Sequence, residues 1–171
     1  MDRKILFIIA GALLLVVLIS YGWRWMFSGP PRQSPEALAQ IALTGNTPQE
    51  REEAAVELAP LGHSAVEHMV RVLSESQTPE VRATMIQGLS VERDFDSMPA
   101  FLDALDDESL LVRTRAAGAV QRLLQIDVGY RADAPREKRL AAIKVFREDW
   151  EKMRDTPGLR KFREKLRQQG Q

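Results

Sequence analysis

Acidic side chains are the first candidates for chemistry in this chain. Asp94, Asp96, Asp103 and the run Asp106-Asp107-Glu108 supply six carboxylates within 15 residues, and clustered carboxylates can hold a divalent cation or work as an acid–base pair. They fall between helical stretches, however, where such groups act as helix caps or stay solvated. His63 and His68 are five apart, whereas two ligands on one helical face stand three or four apart. The chain has no cysteine, which excludes disulfides and thiolate chemistry. A glycine-rich phosphate loop, a His-Glu-x-x-His pair and a nucleophile elbow around any serine are all missing. The expectation is a protein that is not an enzyme, with no catalytic, cofactor-binding or metal-binding residue.

A different set of polar residues recurs at fixed spacing. Arg51, Arg82 and Arg113 are 31 residues apart, and Leu58, Leu89 and Val120 repeat in the same register. Ala54/Ala55, Met85/Ile86 and Ala116/Ala117 complete the match. A guanidinium near a helix start can hydrogen-bond a loop carboxylate of the preceding unit. Asp107 or Asp106 is then the expected partner of Arg113. A period in this range signals a solenoid, in which each unit buries its apolar face only against its neighbours.

The elements that carry these residues are marked by caps and stops. Ser34-Pro35 reads as an N-cap followed by a first-turn proline, with Gly45 as a left-handed stop. Thr47-Pro48-Gln49-Glu50 is a capping box in which Glu50 reaches back to the cap N–H, and that helix ends near Pro60-Leu61-Gly62. The next begins near His63-Ser64, with Val66, Met69, Val70 and Leu73 in one apolar stripe; Met98, Phe101, Leu102 and Leu105 are its counterpart. Each unit is a helix, a turn and a second helix. After a loop at 127–135, Asp133 is expected to cap a closing helix to Met153, with Leu140, Ile143, Phe146, Trp150 and Met153 on its buried side. Trp150 is read as a core residue rather than a ligand platform.

The run from Ala104 to Leu124, with Asp107, Val112-Arg113 and the small pair Ala116-Ala117, resembles the HEAT-like repeat, including the type found in phycobilisome lyases. Val81-Arg82 fits the same pattern. The first unit departs from it, with Glu50 where valine is usual. The resemblance spans about residues 34–126 and implies an α–α superhelix whose repeated arginines tie adjacent units together, used as a protein-interaction scaffold. Some HEAT-like proteins are similar to subunits of bilin lyases, and others modify nucleic acids; both are alternative readings.

Outside the repeats, Ile5 to Trp23 is uncharged over 19 residues. A helix of that length reaches about 28 Å, close to the thickness of a bilayer core. Tyr21, Trp23, Trp25 and Phe27 follow as an aromatic belt. The expectation is a membrane anchor at 1–27 and a linker at 28–33. The anchor gives single-pass localisation, and a near tie in flanking positive charge slightly favours the repeat domain on the extracytoplasmic side. A cleaved signal peptide is the rival, disfavoured by the length of the apolar run and the lack of a small-x-small site. The fold class expected is therefore all-α, a short α–α superhelix preceded by one transmembrane helix.

Charge is zero overall but unevenly placed. Residues 47–108 carry 4 Lys/Arg against 14 Asp/Glu, and residues 109–171 carry 16 against 8. Such asymmetry suggests either an internal match or a charged partner. Residues 47–108 are the candidate face for a basic, as yet unidentified, protein partner. A last amphipathic helix at 156–171 presents Arg160, Lys161, Arg163, Lys165 and Arg167 as candidate contacts for an anionic surface, including anionic lipid. Nucleic acid is disfavoured by the acidic middle of the domain.

Overall fold

The computed structural model describes residues 33–125 and 129–169, without the side chains of Leu166, Arg167 and Gln169. The chain divides into two units, Met1–Gln33 and Ser34–Gln171, and every element below belongs to the second.

Local sequence sets the helix starts. The Ser34 hydroxyl accepts the Ala37 N–H at 3.2 Å and opens α1 (Pro35–Thr44). Gly45 ends it in an extended conformation (φ −52°, ψ 143°), not the expected left-handed one. Space explains the glycine instead: a Cβ there would lie 2.8 Å from the Ile41 carbonyl oxygen and 3.1 Å from Arg51 Cγ. Thr47 caps α2 (Pro48–Leu58) by accepting the Glu50 N–H at 3.1 Å. The Glu50 carboxylate turns back as a capping box requires, but it takes the Asn46 N–H at 2.8 Å, one residue before the cap.

A 3-10 stretch, Ala59–Ala65, turns the chain at Gly62, where φ is +68° and a side chain would be strained. Then come α3 (Val66–Glu75) and α4 (Pro79–Val91), the short 3-10 turn Phe95–Ser97, α5 (Met98–Ala104), α6 (Leu110–Leu124), α7 (Arg136–Met153) and α8 (Pro157–Gln169). No strand occurs among the described residues. Helices α1, α3, α5 and α7 succeed one another in one layer, with α2, α4 and α6 in the other. The cross-layer contacts pair α1 with α2, α3 with α4, and α5 with α6.

The core lies between the layers. Leu58, Leu89 and Val120, the apolar column of the 31-residue period, are each fully buried, as are Met69, Met98, Phe101 and Leu105. Each large side chain so buried contributes about 1.5–3 kcal/mol. Ile143, Phe146 and Trp150 close the stack from α7, and Met153 is partly buried against it. Leu140 departs from the expected stripe and is 42% exposed. Asp133 does not cap α7. Pro135 holds the cap position, and Asp133 pairs with Arg131 at 3.2 Å.

The membrane-spanning part of the expected fold class is corrected here. The segment Ile5–Trp23 lies outside the described residues, and among the described residues no helix is long and apolar enough to cross a membrane. The longest described helix, α7, carries charged groups along its whole length (REKRLAAIKVFREDWEKM), and each would be costly to desolvate in hydrocarbon. The described fold is all-α without a spanning helix, and the expected single-pass localisation finds no support in it.

Candidate functional site

The three arginines of the 31-residue column stand at the same place in successive units, on the first turn of α2, α4 and α6. Each sits four residues after its helix cap (Thr47, Thr78, Ser109), and each donates one terminal N–H to the carbonyl six residues earlier. Those acceptors are Gly45 for Arg51 (2.7 Å), Ser76 for Arg82 (2.9 Å) and Asp107 for Arg113 (2.8 Å). The other edge of each guanidinium reaches forward into the next turn. Arg51 Nε donates to Thr78 Oγ1 at 3.0 Å, and Arg113 Nε donates to the Ala132 carbonyl at 2.8 Å.

Arg82 makes the strongest link, a two-pronged bond to Asp107 with both contacts at 2.8 Å. Arg82 is nearly buried, and its side chain and that of Asp107 are 9% and 13% exposed. Parallel N–H to carboxylate bonds of this kind are about twice as strong as neutral ones. The Asp107 contact, the largest cause, raises the Arg82 pKa.

The direction of the ladder differs from the sequence expectation. The Asp107 carboxylate serves Arg82 of the unit before, and Arg113 donates only to main-chain oxygens, those of Asp107, Glu108 and Ala132. Asp107 also accepts the Ser109 N–H at 2.7 Å, so one side chain starts α6 and receives Arg82. Asp106, the other expected partner of Arg113, is held by Arg136 at 2.6 Å and Arg139 at 3.1 Å. Those guanidinium contacts, Arg136 first, lower its pKa. Nearby, the buried Tyr130 hydroxyl donates to the Leu105 carbonyl at 2.6 Å, and burial pushes its pKa up.

Charge asymmetry along the sequence resolves partly into internal pairs. Asp103 meets Arg147 at 2.6 Å, Asp106 meets Arg136 and Arg139, and Asp96 meets Arg163. Carboxylates of the acidic middle are thus matched by arginines of the basic end. On α2, by contrast, Glu53 and Glu57 stay exposed beside Val56, and Glu52 is half-buried, around a shallow depression of about 410 Å³.

Beside the Arg82–Asp107 pair, a cavity of about 750 Å³ opens between α3 and α5. Val70 and Leu73 of α3 and Ala100 and Ala104 of α5 give it an apolar floor. Asp103, Asp107 and Glu108 line its rim; Asp107 and, at 3.5 Å, Glu108 face Arg82 and Asp103 is paired with Arg147, which leaves an excess of one negative charge. Ser76 and Gln77 of the turn after α3 add neutral polar groups.

The basic C-terminal helix is only partly free. Its apolar side docks: Phe162 meets Phe95 edge-on with ring centres 5.8 Å apart, and Phe95 stacks on Trp150 at 6.5 Å. Arg163 is engaged with Asp96 and with the Arg154 carbonyl. Arg160, Lys161 and Lys165 are exposed and make no ion pair among the described residues. The side chain of Arg167 lies outside the description.

His63 is exposed, and His68 stands 3.1 Å from Glu36, which Arg71 also reaches, linking α1 to α3. Among the described residues no group of three or more His, Cys, Asp or Glu is placed to hold a metal ion. Sequence reasoning missed the floor of the cavity as a unit. Ala100 and Ala104 are small residues on α5 whose alignment with Val70 and Leu73 follows only from layer packing. Comparison with protein-family models, curated proteins and solved structures finds no match for the chain.

Proposed function

We propose that the chain is a non-catalytic protein-binding module of stacked helix pairs, built in the manner of HEAT-like repeats, which takes a basic amphipathic segment of a partner protein. One observation carries this reading: the groove between α3 and α5 combines an apolar floor with an acidic rim. A partner's lysines or arginines meet Glu108 and Asp103, which stay 83% and 69% exposed beside Arg82 and Arg147, while its apolar side chains cover Val70, Leu73 and Ala104. The Arg82–Asp107 pair walls the groove and holds its shape, because both groups are already satisfied. The exposed carboxylates of α2 add a field of the same sign and favour encounter with a cationic partner.

Titration of the full chain with a synthetic peptide of alternating lysine and leucine tests this, with an isomer bearing glutamate for lysine as control. The lysine peptide should bind, more weakly in higher salt, and Glu108→Lys with Asp103→Lys should weaken it about tenfold or more. Equal binding of both peptides, or no loss in the double variant, would overturn the reading.

A further inference from the structure

A second cavity, of about 390 Å³, lies at the other end of α4, where the chain leaves that helix and α6 ends. Its character is opposite to that of the groove. Arg93 and Arg122 line it together with the apolar side chains Phe95, Leu123 and Phe162. Neither arginine has a carboxylate partner among the described residues. Both arginines are exposed, and Arg122 is anchored by donating to the buried Ser90 hydroxyl at 3.0 Å.

The backbone supplies a second observation. Among the described residues, the non-glycine positions with positive φ are Arg93 (φ +52°) and Gln125 (φ +56°), and both line this cavity. Both follow helix ends, where glycine is the residue that costs least. A left-handed conformation costs a residue with a side chain about 1 kcal/mol or more, so Arg93 sits against its backbone preference. Strain of this sort concentrates where a side chain is needed at one spot.

We propose that this cavity binds a small monocarboxylate on an apolar, ring-sized body. The carboxylate meets Arg93 and Arg122, whose forks match it in a way that an ammonium group would not. The body lies against Phe95, Leu123 and Phe162, and the volume falls within the range of small-molecule sites. Because α8 contributes Phe162, occupancy also fixes the C-terminal helix against the Phe95 turn. This site is separate from the groove and does not depend on it. Arg82 at the start of α4 belongs to one, and Ser90 and Arg93 at its end belong to the other.

The test uses three probes on the ¹⁵N-labelled full chain: phenylacetate, the neutral phenylacetamide and inorganic phosphate. Phenylacetate should give saturable shifts centred on Ser90–Arg93 and Arg122–Gln125, with the amide and phosphate each about tenfold weaker or worse. Arg122→Gln, which removes the guanidinium fork and its charge, should weaken phenylacetate by about tenfold. Arg93→Gly should do the same while raising the urea midpoint, because it relieves the left-handed arginine. Binding and stability moving in opposite directions would not follow if the two arginines merely offset the negative ends of α4 and α6. The proposal is overturned by equal binding of acid and amide, by shifts elsewhere, or by an Arg93→Gly variant that binds unchanged.

Discussion

Truncating Arg82 to alanine should be the most costly single change in the arginine ladder. Its side chain is 9% exposed and makes two charge-assisted bonds to Asp107, at 2.8 Å each, and one to the Ser76 carbonyl at 2.9 Å. Without it, a carboxylate only 13% exposed keeps the Ser109 N–H and loses its counter-charge. Breaking a buried pair by removing one partner costs about 3–5 kcal/mol. Arg51 occupies the same position but donates to a hydroxyl and a carbonyl, at 3.0 and 2.7 Å. Removing Arg51 leaves only neutral acceptors without a donor, a penalty of about 1–3 kcal/mol. Arg82→Ala should therefore cost about 2 kcal/mol more than Arg51→Ala. Urea unfolding of the full chain, followed by far-ultraviolet circular dichroism, reads the difference. Since total stability is on the order of 5–15 kcal/mol, a gentler variant guards against outright unfolding. Arg82→Lys keeps the charge but loses the planar fork, and should fall between wild type and alanine. A cycle with Asp107→Ala should give a coupling of about 2–3 kcal/mol. An Arg82→Ala cost no larger than that of Arg51→Ala, or a coupling below about 0.5 kcal/mol, would refute the claim that this pair differs in kind from its neighbours.

Two glycines should respond to alanine with opposite signs. At Gly88 a Cβ would stand 2.9 Å from Met69 Sδ and 3.2 Å from Ala59 Cα, so alanine should cost about 1–3 kcal/mol; at Gly118, with nothing within 4 Å, it should stabilise α6 by about 0.5–1 kcal/mol, both read by urea midpoint. Thr47→Ala removes the acceptor of the Glu50 N–H and should lower stability by about 1 kcal/mol, with increased amide exchange confined to the start of α2. The pKa of Asp106 is depressed in the folded chain by Arg136 and Arg139, so its stabilising effect is complete above its unfolded value of about 4 and is lost as pH falls below it. An Asp106→Asn chain should accordingly lose less stability than wild type on acidification below about pH 4, as thermal midpoints across that range would show.

The repeat was legible because burial and capping leave local marks. Leu58, Leu89 and Val120 had to be apolar, and Ser34 and Thr47 had to be small and polar. What escaped depended on how units meet. Arg113 and Asp107 stand six residues apart, which invites a local pair. The carboxylate is instead presented toward the preceding arginine because it also starts α6 through the Ser109 N–H. Asp133 carried a cap signal, yet Arg131 two residues away holds it and Pro135 takes the cap position. Leu140 fits the α7 stripe by spacing but is 42% exposed, a difference that spacing alone does not show. The C-terminal basic run gave no sign that Arg163 would be drawn to Asp96. Arg93 and Gln125 escaped for a plain reason: left-handed helix ends are recognised by glycine, and neither position has one.

Asp107 also bears on how the chain comes apart. It receives Arg82 on its side chain and Arg113 on its carbonyl, so the tie between the second and third units and the turn inside the third share one residue. The arginine-ladder link from the first unit to the second ends instead on the neutral Thr78 hydroxyl, beside the solvent-exposed Glu36–Arg71 pair. In a linear array, stability is a sum of units and nearest-neighbour couplings. Unequal couplings divide the array into a central block that opens as a whole and an N-terminal pair, α1 and α2, that opens by itself at lower free energy. Native-state hydrogen exchange should resolve two opening energies, the lower one for amides of α1 and α2. Replacing Asp107 should merge them by releasing the block from within.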